Sequence, residues 1–238
     1  MKRLLAFFII SALLFALSAC GSDAPSAPLV DVGASPALSG ADSIGSDAAA
    51  FNAENGKTPA ARVDDTAAAI YNGTEGLTLY GAAAYTNTGD CPIIIESADF
   101  TFTAGGETFE HSFVPPLAEY AVLMPGETSF LTAWAPQAPE TALSAGMEVS
   151  LSVSLTPRRA EAARTLLLVD RLYLADNYPN FTTLSGRITC AGALGCEMNV
   201  IHIGFYDAEG TFLGAWYFTK NTLLEGDESK NFVVQMYG

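Results

Sequence analysis

Short apolar stretches separated by turn residues dominate the chain from about residue 60 onward. The clearest is residues 147–155, in which valine and leucine alternate with serine. A period of two puts every second side chain on the same face, so this segment is predicted to be a strand with one wet face. Turn signals recur at roughly the spacing of an antiparallel sandwich. The pattern therefore predicts an all-β fold.

Eight further segments suit strands. They are residues 76–86, 93–103, 128–134, 165–174, 181–190, 198–206, 211–220 and 230–236. Only residues 157–164 have a briefly helical pattern. Phe212, Trp216 and Phe218 are predicted to share one strand face and to belong to the core, with a carbohydrate- or peptide-binding platform as the alternative.

Two blocks of the chain align with each other, which indicates a tandem duplication. Six residues of the first block match the second at a constant offset of 105: Thr78, Leu79, Gly81, Cys91, Phe100 and Gly105. The turn at residues 124–127 matches residues 224–227 at an offset of 100. The apolar alternation changes phase between Ile95 and Ala98, and again between Val200 and Ile203. A β-bulge at each change would keep the apolar residues on one face.

The first twenty residues have the layout of an export signal. Lys2 and Arg3 precede an apolar run over residues 4–17. This run is shorter than the roughly 20 residues of a membrane-spanning helix and is typical of a secretory signal peptide. Leu17-Ser18-Ala19-Cys20 follows directly and resembles the lipobox of bacterial lipoproteins. The resemblance implies that residues 1–19 are cleaved off and that the thiol of Cys20 is lipidated.

The alternatives are a buried N-terminal helix or a cleaved, soluble secreted protein, and neither explains the position of Cys20. Residues 20–59 are rich in Ala, Ser, Gly, Pro and Asp and are predicted to form a flexible linker. The net charge is −15, and it becomes −17 without Lys2 and Arg3. This acidity argues against nucleic-acid binding. It also repels anionic lipid, so acyl chains must hold the protein at the membrane.

Ile203-Gly-Phe-Tyr-Asp207, followed by Gly210, resembles the F-x-L-Y-D motif and D-x-x-G turn of the FxLYD domain family. Residues 81–89 resemble the glycine-containing strand and asparagine turn of that family, although the first block has Ala98-Asp-Phe-Thr-Phe102 in place of the motif. The resemblance implies two tandem immunoglobulin-like β-sandwiches, at residues 60–156 and 157–238, on an exported bacterial protein. It implies no catalytic chemistry. Residues 207–210 are predicted to form a hairpin turn with Gly210 at positive φ.

Cys190 and Cys196 flank a five-residue turn between predicted strands, and an oxidising compartment favours a disulfide between them. A redox-active pair would need a helix-borne Cys-x-x-Cys, and a metal site would need more ligands than His202. Cys91 is predicted to be a buried thiol, with an intermolecular bridge as the alternative. We expect no metal and no cofactor.

His111 and His202 fall in predicted strands without a catalytic pattern around them, so no catalytic residue is assigned. The loop with Pro115, Pro116 and Tyr120 is the candidate partner surface, because loops carry function more often than cores do. We expect a non-catalytic binding or scaffolding module, outside the cytoplasm on the cell membrane or the outer membrane, whose partner is an envelope protein or polysaccharide. The alternatives are an envelope hydrolase, whose acids assemble only in the fold, and a structural spacer.

Overall fold

Antiparallel β-strands build almost all of the regular structure. The computed structural model describes residues 58–73, 76–135, 144, 147–161, 166–177, 181–191, 195–196, 199–220 and 223–236. In these ranges the only helix is a 3-10 turn at Ala118–Tyr120. The predicted all-β fold is confirmed. No helix in the described part of the chain is long and apolar enough to cross a membrane.

The described residues form eleven strands. They are β1 (Ala61–Gly73), β2 (Gly76–Asn87), β3 (Ile93–Ala104), β4 (Glu107–Phe113), β5 (Thr128–Ala135), β6 (Val149–Arg159), β7 (Leu166–Asn177), β8 (Phe181–Ala191), β9 (Asn199–Tyr206), β10 (Phe212–Lys220) and β11 (Ser229–Met236). We call β1–β6 the first module and β7–β11 the second module.

The first module consists of two three-stranded sheets, ordered β1-β2-β5 and β4-β3-β6, which share one apolar core. Leu79 and Leu131 enter this core from one sheet, and Phe100 and Phe102 enter it from the other. The alternating apolar residues of β6 pack against its edge, as their period of two requires.

The predicted bulge in β3 is confirmed. The register between β3 and β6 shifts between Ile95 and Ser97. Because of this extra residue, apolar side chains on both sides of the shift point into the same core and are fully or almost fully buried. These residues are Ile93, Ile95, Ala98, Phe100 and Phe102.

The second module repeats the first with fewer strands. Its sheets are ordered β11-β8-β7 and β10-β9, and they share a core that includes Ile188, Ile201 and Phe232. Strands β7-β8-β11 correspond to β1-β2-β5, and β9-β10 correspond to β3-β4. Among the described strands, none corresponds to β6.

The hydrogen bonds align the two modules at a different offset from the one predicted by the sequence. Thr86 on β2 faces Thr128 on β5 with their hydroxyls 2.8 Å apart, and Thr189 on β8 faces Ser229 on β11 at 2.7 Å. The offset is therefore 103 on β2/β8 and 101 on β5/β11. The predicted offsets of 105 and 100 are wrong for these strands, because identical letters in glycine- and alanine-rich segments align more easily than pairing partners do.

The predicted bulge between Val200 and Ile203 is wrong. Strand β9 pairs with β10 without a shift over this segment, and Ile201, Ile203 and Phe205 face the core together. A bulge is a relation between two strands, and the bulge of β3 lies on its β6 side. In the β9–β10 pair the register shift lies instead in β10, between Phe212 and Gly214.

The bulge in β10 also separates residues that were predicted to share a face. Phe218 and Trp216 pack against the core of the second module, whereas Phe212 points to the opposite side.

Two other differences from the predicted strands concern the first module. Strand β1 is missing from the predicted set, and β6 continues through Pro157 to Arg159, where a helical pattern was expected. Pro157 fits because it lies opposite Ile95, at the bulge.

Candidate functional site

The two modules pack against each other through the outer face of β2 and the outer face of β10. Ala82 and Ala84 meet Phe212 and Ala215 there, and all four side chains are buried. We call this contact the seam. Small side chains allow the two sheets to approach closely. All described residues fall within one compact unit.

A tyrosine on the first module satisfies the backbone of the second. The hydroxyl of Tyr80 donates to the carbonyl of Ala215 at 2.6 Å and accepts from the N–H of the same residue at 2.8 Å. Burial is the main cause that raises the pKa of Tyr80 above its ordinary value of 10.0, so the hydroxyl keeps its proton. The neighbouring Gly214 has a φ of 150°, and a Cβ there would meet the Tyr80 hydroxyl at 2.8 Å.

Aromatic rings lie at both ends of the seam. At one end Phe130 stacks on Phe212 with ring centroids 6.0 Å apart. At the other end Trp134 contacts Tyr80 at 4.9 Å and Trp216 at 6.3 Å. The seam thus has a flat alanine and glycine centre with aromatic contacts on either side.

Sequence reasoning missed the seam, although β2 contains a signal for it. Leu79 and Tyr85 face the core of the first module, while Tyr80, Ala82 and Ala84 on the alternate positions are also apolar. A strand that is apolar on both faces is typically covered on both. This signal predicts a second layer, but not which strand provides it.

The predicted partner loop lies beside the seam. The Pro115 loop (residues 114–127) connects β4 to β5. Pro115 is buried, whereas Pro116 is exposed and 55% of the Tyr120 side chain is accessible. The three predicted residues therefore divide into one that positions the loop and two that are presented to solvent.

Backbone hydrogen bonds tie the Pro115 loop to itself and to β3. Leu117 adopts a left-handed conformation with a φ of 57°, which is unfavourable for a non-glycine residue. The buried Ala118 begins the 3-10 turn, and its N–H donates to the carbonyl of Pro115. Further on, Leu123 pairs with Ile93 of β3. A strained residue held by its surroundings is a recurrent feature of functional loops.

A small cleft joins the Pro115 loop to the second module. Pro115 and Pro116 line it together with His202, Trp216 and Tyr217. The tyrosine ring is 36% exposed, and it continues the apolar surface of the loop on the other side of the cleft. The fold has therefore brought the predicted loop next to residues of β9 and β10 that are far away in the chain.

His202 is paired with a hydroxyl at this cleft. Its Nδ1 lies 3.1 Å from the Oγ of Ser129, and Ser129 also bonds the phenol of Tyr85. Burial lowers the pKa of His202 below its ordinary value of 6.5 and raises the pKa of Tyr85 to about 12, so both are neutral near pH 7. Of the described residues that line the cleft, none is a carboxylate. The histidine therefore has no acid there to orient it as a base.

The two candidate disulfide cysteines lie together. Cys190 ends the core-facing part of β8 and Cys196 pairs with Leu224; both are buried and their Sγ atoms are 2.7 Å apart. The disulfide itself stays a prediction. Cys91 is also buried, while Cys20 lies outside the described residues. No group of three or more His, Cys, Asp or Glu residues in the described ranges is arranged to hold a metal ion.

Asn87 in the first module explains what the cysteine pair replaces. Its buried amide donates to the carbonyls of Cys91 and Leu123, both at 2.9 Å, and so ties the following turn to the loop before β5. By backbone hydrogen bonds Asn87 corresponds to Cys190, since each donates to the residue that ends a two-residue turn, Glu127 or Glu228. The thiol of Cys190 thus takes the position of the Asn87 amide and meets Cys196, which pairs with Leu224 as Ile93 pairs with Leu123.

Asp207 and Gly210 build the turn between β9 and β10. One carboxylate oxygen of Asp207 accepts from the N–H groups of Glu209 and Thr211, at 3.1 and 2.7 Å. Gly210 has a φ of 84°, which confirms its predicted positive φ. This carboxylate oxygen of Asp207 is thereby used in hydrogen bonds to the backbone of its own turn. Comparison with protein-family models, curated proteins and solved structures gave no match.

Proposed function

We propose that this protein is a non-catalytic binding module of the bacterial envelope, anchored through lipid on Cys20, which contacts its partner with the Pro115 loop. The observation that carries the proposal is the exposed apolar surface of that loop. Val114 is 69% and Tyr120 55% exposed, although the backbone between them forms a hydrogen-bonded 3-10 turn. A rigid loop binds at a lower entropic cost than a flexible one.

The chemistry of the surface suits an envelope protein or a polysaccharide. Val114, Pro116 and Tyr120 offer apolar contact, and Tyr217 adds a second phenol across the cleft. Tyrosine is enriched at binding surfaces because it combines a large apolar ring with a polar end. The lipobox and the FxLYD-like motif support an exported location and two immunoglobulin-like sandwiches.

The alternative of an envelope hydrolase draws on one observation, the hydrogen bond between Ser129 and His202. Nucleophilic catalysis of this kind uses a histidine that is oriented by a third group. Here the serine also bonds Tyr85, so the pair already has a structural role between β2, β5 and β9. We therefore rank the binding module above the hydrolase, and above a spacer that would need no exposed apolar loop.

The anchor is tested by Cys20→Ala in the native host. The wild-type chain should fractionate with membranes and incorporate labelled fatty acid, whereas the variant should do neither. Cys91→Ala is the matched control, because it removes a thiol from the same chain and should leave labelling unchanged. Fatty-acid labelling of Cys20→Ala would refute the lipid anchor.

The binding surface is tested by photo-crosslinking in intact cells. A photoreactive residue at Pro116 or Tyr120 should give one discrete adduct, and the same residue at Ser152, exposed on β6, should not. Tyr120→Ala should reduce the adduct formed from Pro116 because it removes apolar contact area. Equal adducts from the loop and from Ser152, or none at all, would overturn the proposal.

A further inference from the structure

The comparison between the modules identifies an uncovered strand. In the first module β3 lies between β4 and β6. The equivalent strand β9 pairs with β10 on one side, and among the described strands it has no neighbour on the other. The side of β9 that lacks a neighbour is the side where β6 lies in the first module.

The missing neighbour leaves core residues partly uncovered. Phe100 and Phe102 on β3 have no accessible surface. Ile203 and Phe205, which face the core from β9, are only partly buried. Since both pairs face the core between two sheets, the difference is explained by the strand that flanks β3 and is lacking beside β9.

The hydrogen bond of Tyr80 shows which backbone groups of β9 point to the open edge. Ala215 directs its N–H and C=O to the Tyr80 hydroxyl, away from its partner Gly204. In an antiparallel pair, residues that exchange hydrogen bonds alternate with residues that do not. Gly204, His202 and Val200 therefore present their N–H and C=O groups to the open edge of β9.

The edge of β9 lacks the features that normally protect an edge strand. Such strands carry lysine, proline or a bulge that prevents pairing with another chain. Strand β9, with the sequence Asn-Val-Ile-His-Ile-Gly-Phe-Tyr, has neither residue, and it pairs with β10 without a shift except at its last residue, Tyr206. By contrast β4 carries two glutamates, and β7 is interrupted by a register shift after Asp170.

We propose that the open edge of β9 accepts an extended segment of a partner protein, which adds to the sheet antiparallel in the position that β6 occupies on β3. The donor should resemble β6, with apolar side chains at every second position and small polar ones between them. It should be basic at its amino end. In the β6 arrangement this end meets Tyr206, next to Asp207, and Asp64 and Asp65 act electrostatically on the same tyrosine.

This inference rests on the proposed role as a binding module, but it concerns a second surface. The test uses the full-length protein in detergent and a fluorescent peptide with the sequence of residues 149–156 preceded by two lysines. A scrambled peptide of the same composition, without the alternation, is the control. The alternating peptide should bind, and the scrambled peptide should bind at least tenfold more weakly.

Two variants at one position separate backbone pairing from side-chain contact. Val200→Pro removes an N–H that points to the open edge and leaves the bonds to β10 in place, so the fold should persist. It should weaken peptide binding tenfold or more. Val200→Thr keeps the N–H and nearly the same shape, and it should bind like the wild type. Circular dichroism and melting temperature check that both variants are folded.

Equal binding of the peptide to Val200→Pro and Val200→Thr would overturn the proposal, as would equal binding of both peptides to the wild type. Dimerisation that Val200→Pro abolishes would also overturn it, because the occupant would then be a second copy. Tyr120→Ala should leave peptide binding unchanged. Failure of the peptide test with intact crosslinking from Pro116 would refute this edge site alone, and the reverse result would refute the loop proposal alone.

Discussion

The hydroxyl of Tyr80 provides the sharpest test of the seam. Tyr80→Phe removes one oxygen atom and with it both hydrogen bonds to Ala215. Ala215 is only 2% exposed, so water has little access to its backbone to replace these bonds. A net contribution of about 1 kcal/mol per bond predicts a loss of about 2 kcal/mol in unfolding free energy. For a chain of this size that corresponds to a fall of about 4–8 °C in melting temperature.

The assay combines denaturation with a local probe of the seam. Urea denaturation gives the change in unfolding free energy. The two tryptophans of the chain are Trp134 and Trp216, and they meet across the seam at 6.3 Å, so near-ultraviolet circular dichroism reports their mutual orientation. Tyr80→Phe should reduce both the unfolding free energy and the near-ultraviolet circular dichroism of the tryptophans. Tyr71→Phe is the matched control, because Tyr71 contacts Trp134 edge-on and its hydroxyl has no comparable backbone bond in the described residues.

An unchanged unfolding free energy and tryptophan signal in Tyr80→Phe would refute the reasoning, since a dispensable hydroxyl cannot be holding the edge of β10. A loss of equal size in Tyr71→Phe would also refute it. Loss of a tyrosine hydroxyl would then be destabilising without any bond to Ala215, and the two hydrogen bonds of Tyr80 would not explain its effect.

Three further changes test other parts of the structure. Gly204→Ala should lower the unfolding free energy by about 1–3 kcal/mol, because the added Cβ collides with the ring of Phe130. Adding Phe130→Leu should restore part of this loss. An unchanged unfolding free energy in Gly204→Ala would contradict the close approach of Gly204 to Phe130. If Cys190 and Cys196 are bonded, reductant should lower the melting temperature of the wild type but not that of Cys190→Ala. For so short a loop the disulfide contributes about 2 kcal/mol to the unfolding free energy. Burial depresses the pKa of His202 in the folded protein below 6.5, so folding favours the neutral imidazole. The wild type should therefore be most stable above pH 6.5, and it should lose stability as the pH falls through the pKa of His202 in the folded protein. His202→Gln should show a smaller fall between pH 7.5 and 5 in thermal melts, and an equal fall would show that another group is responsible.

Much of the strand content could be predicted from local patterns. Strand β6 follows from its strict alternation, and the bulge in β3 follows from the change of phase between Ile95 and Ala98. Strand β1 was missed because it is rich in alanine and carries two adjacent aspartates, which are poor strand formers. It becomes a strand because β2 pairs with it along almost its whole length.

The candidate site divides in a similar way. The Pro115 loop was predicted because loops carry function more often than cores do, and the turn at Asp207 was predicted from its glycine. The neighbours of the loop could not be predicted, because Trp216 and Tyr217 reach it through the packing of one module on the other. Phe212 was placed on the wrong face since a bulge in β10, unlike the one in β3, leaves no change of phase in the apolar pattern.

The sequence by itself determined where most of the strands and turns form and which face of most strands is apolar. These are local properties, since a period of two needs only neighbouring residues. The tertiary structure alone decided which edges are covered, how the modules meet at the seam, and that Tyr80 completes the bonding of Ala215. Such features join residues that are far apart in the chain, 135 positions in the case of Tyr80 and Ala215, and no local period specifies a lateral partner. The same reason makes β9 look like an ordinary strand in the sequence and an open edge in the fold.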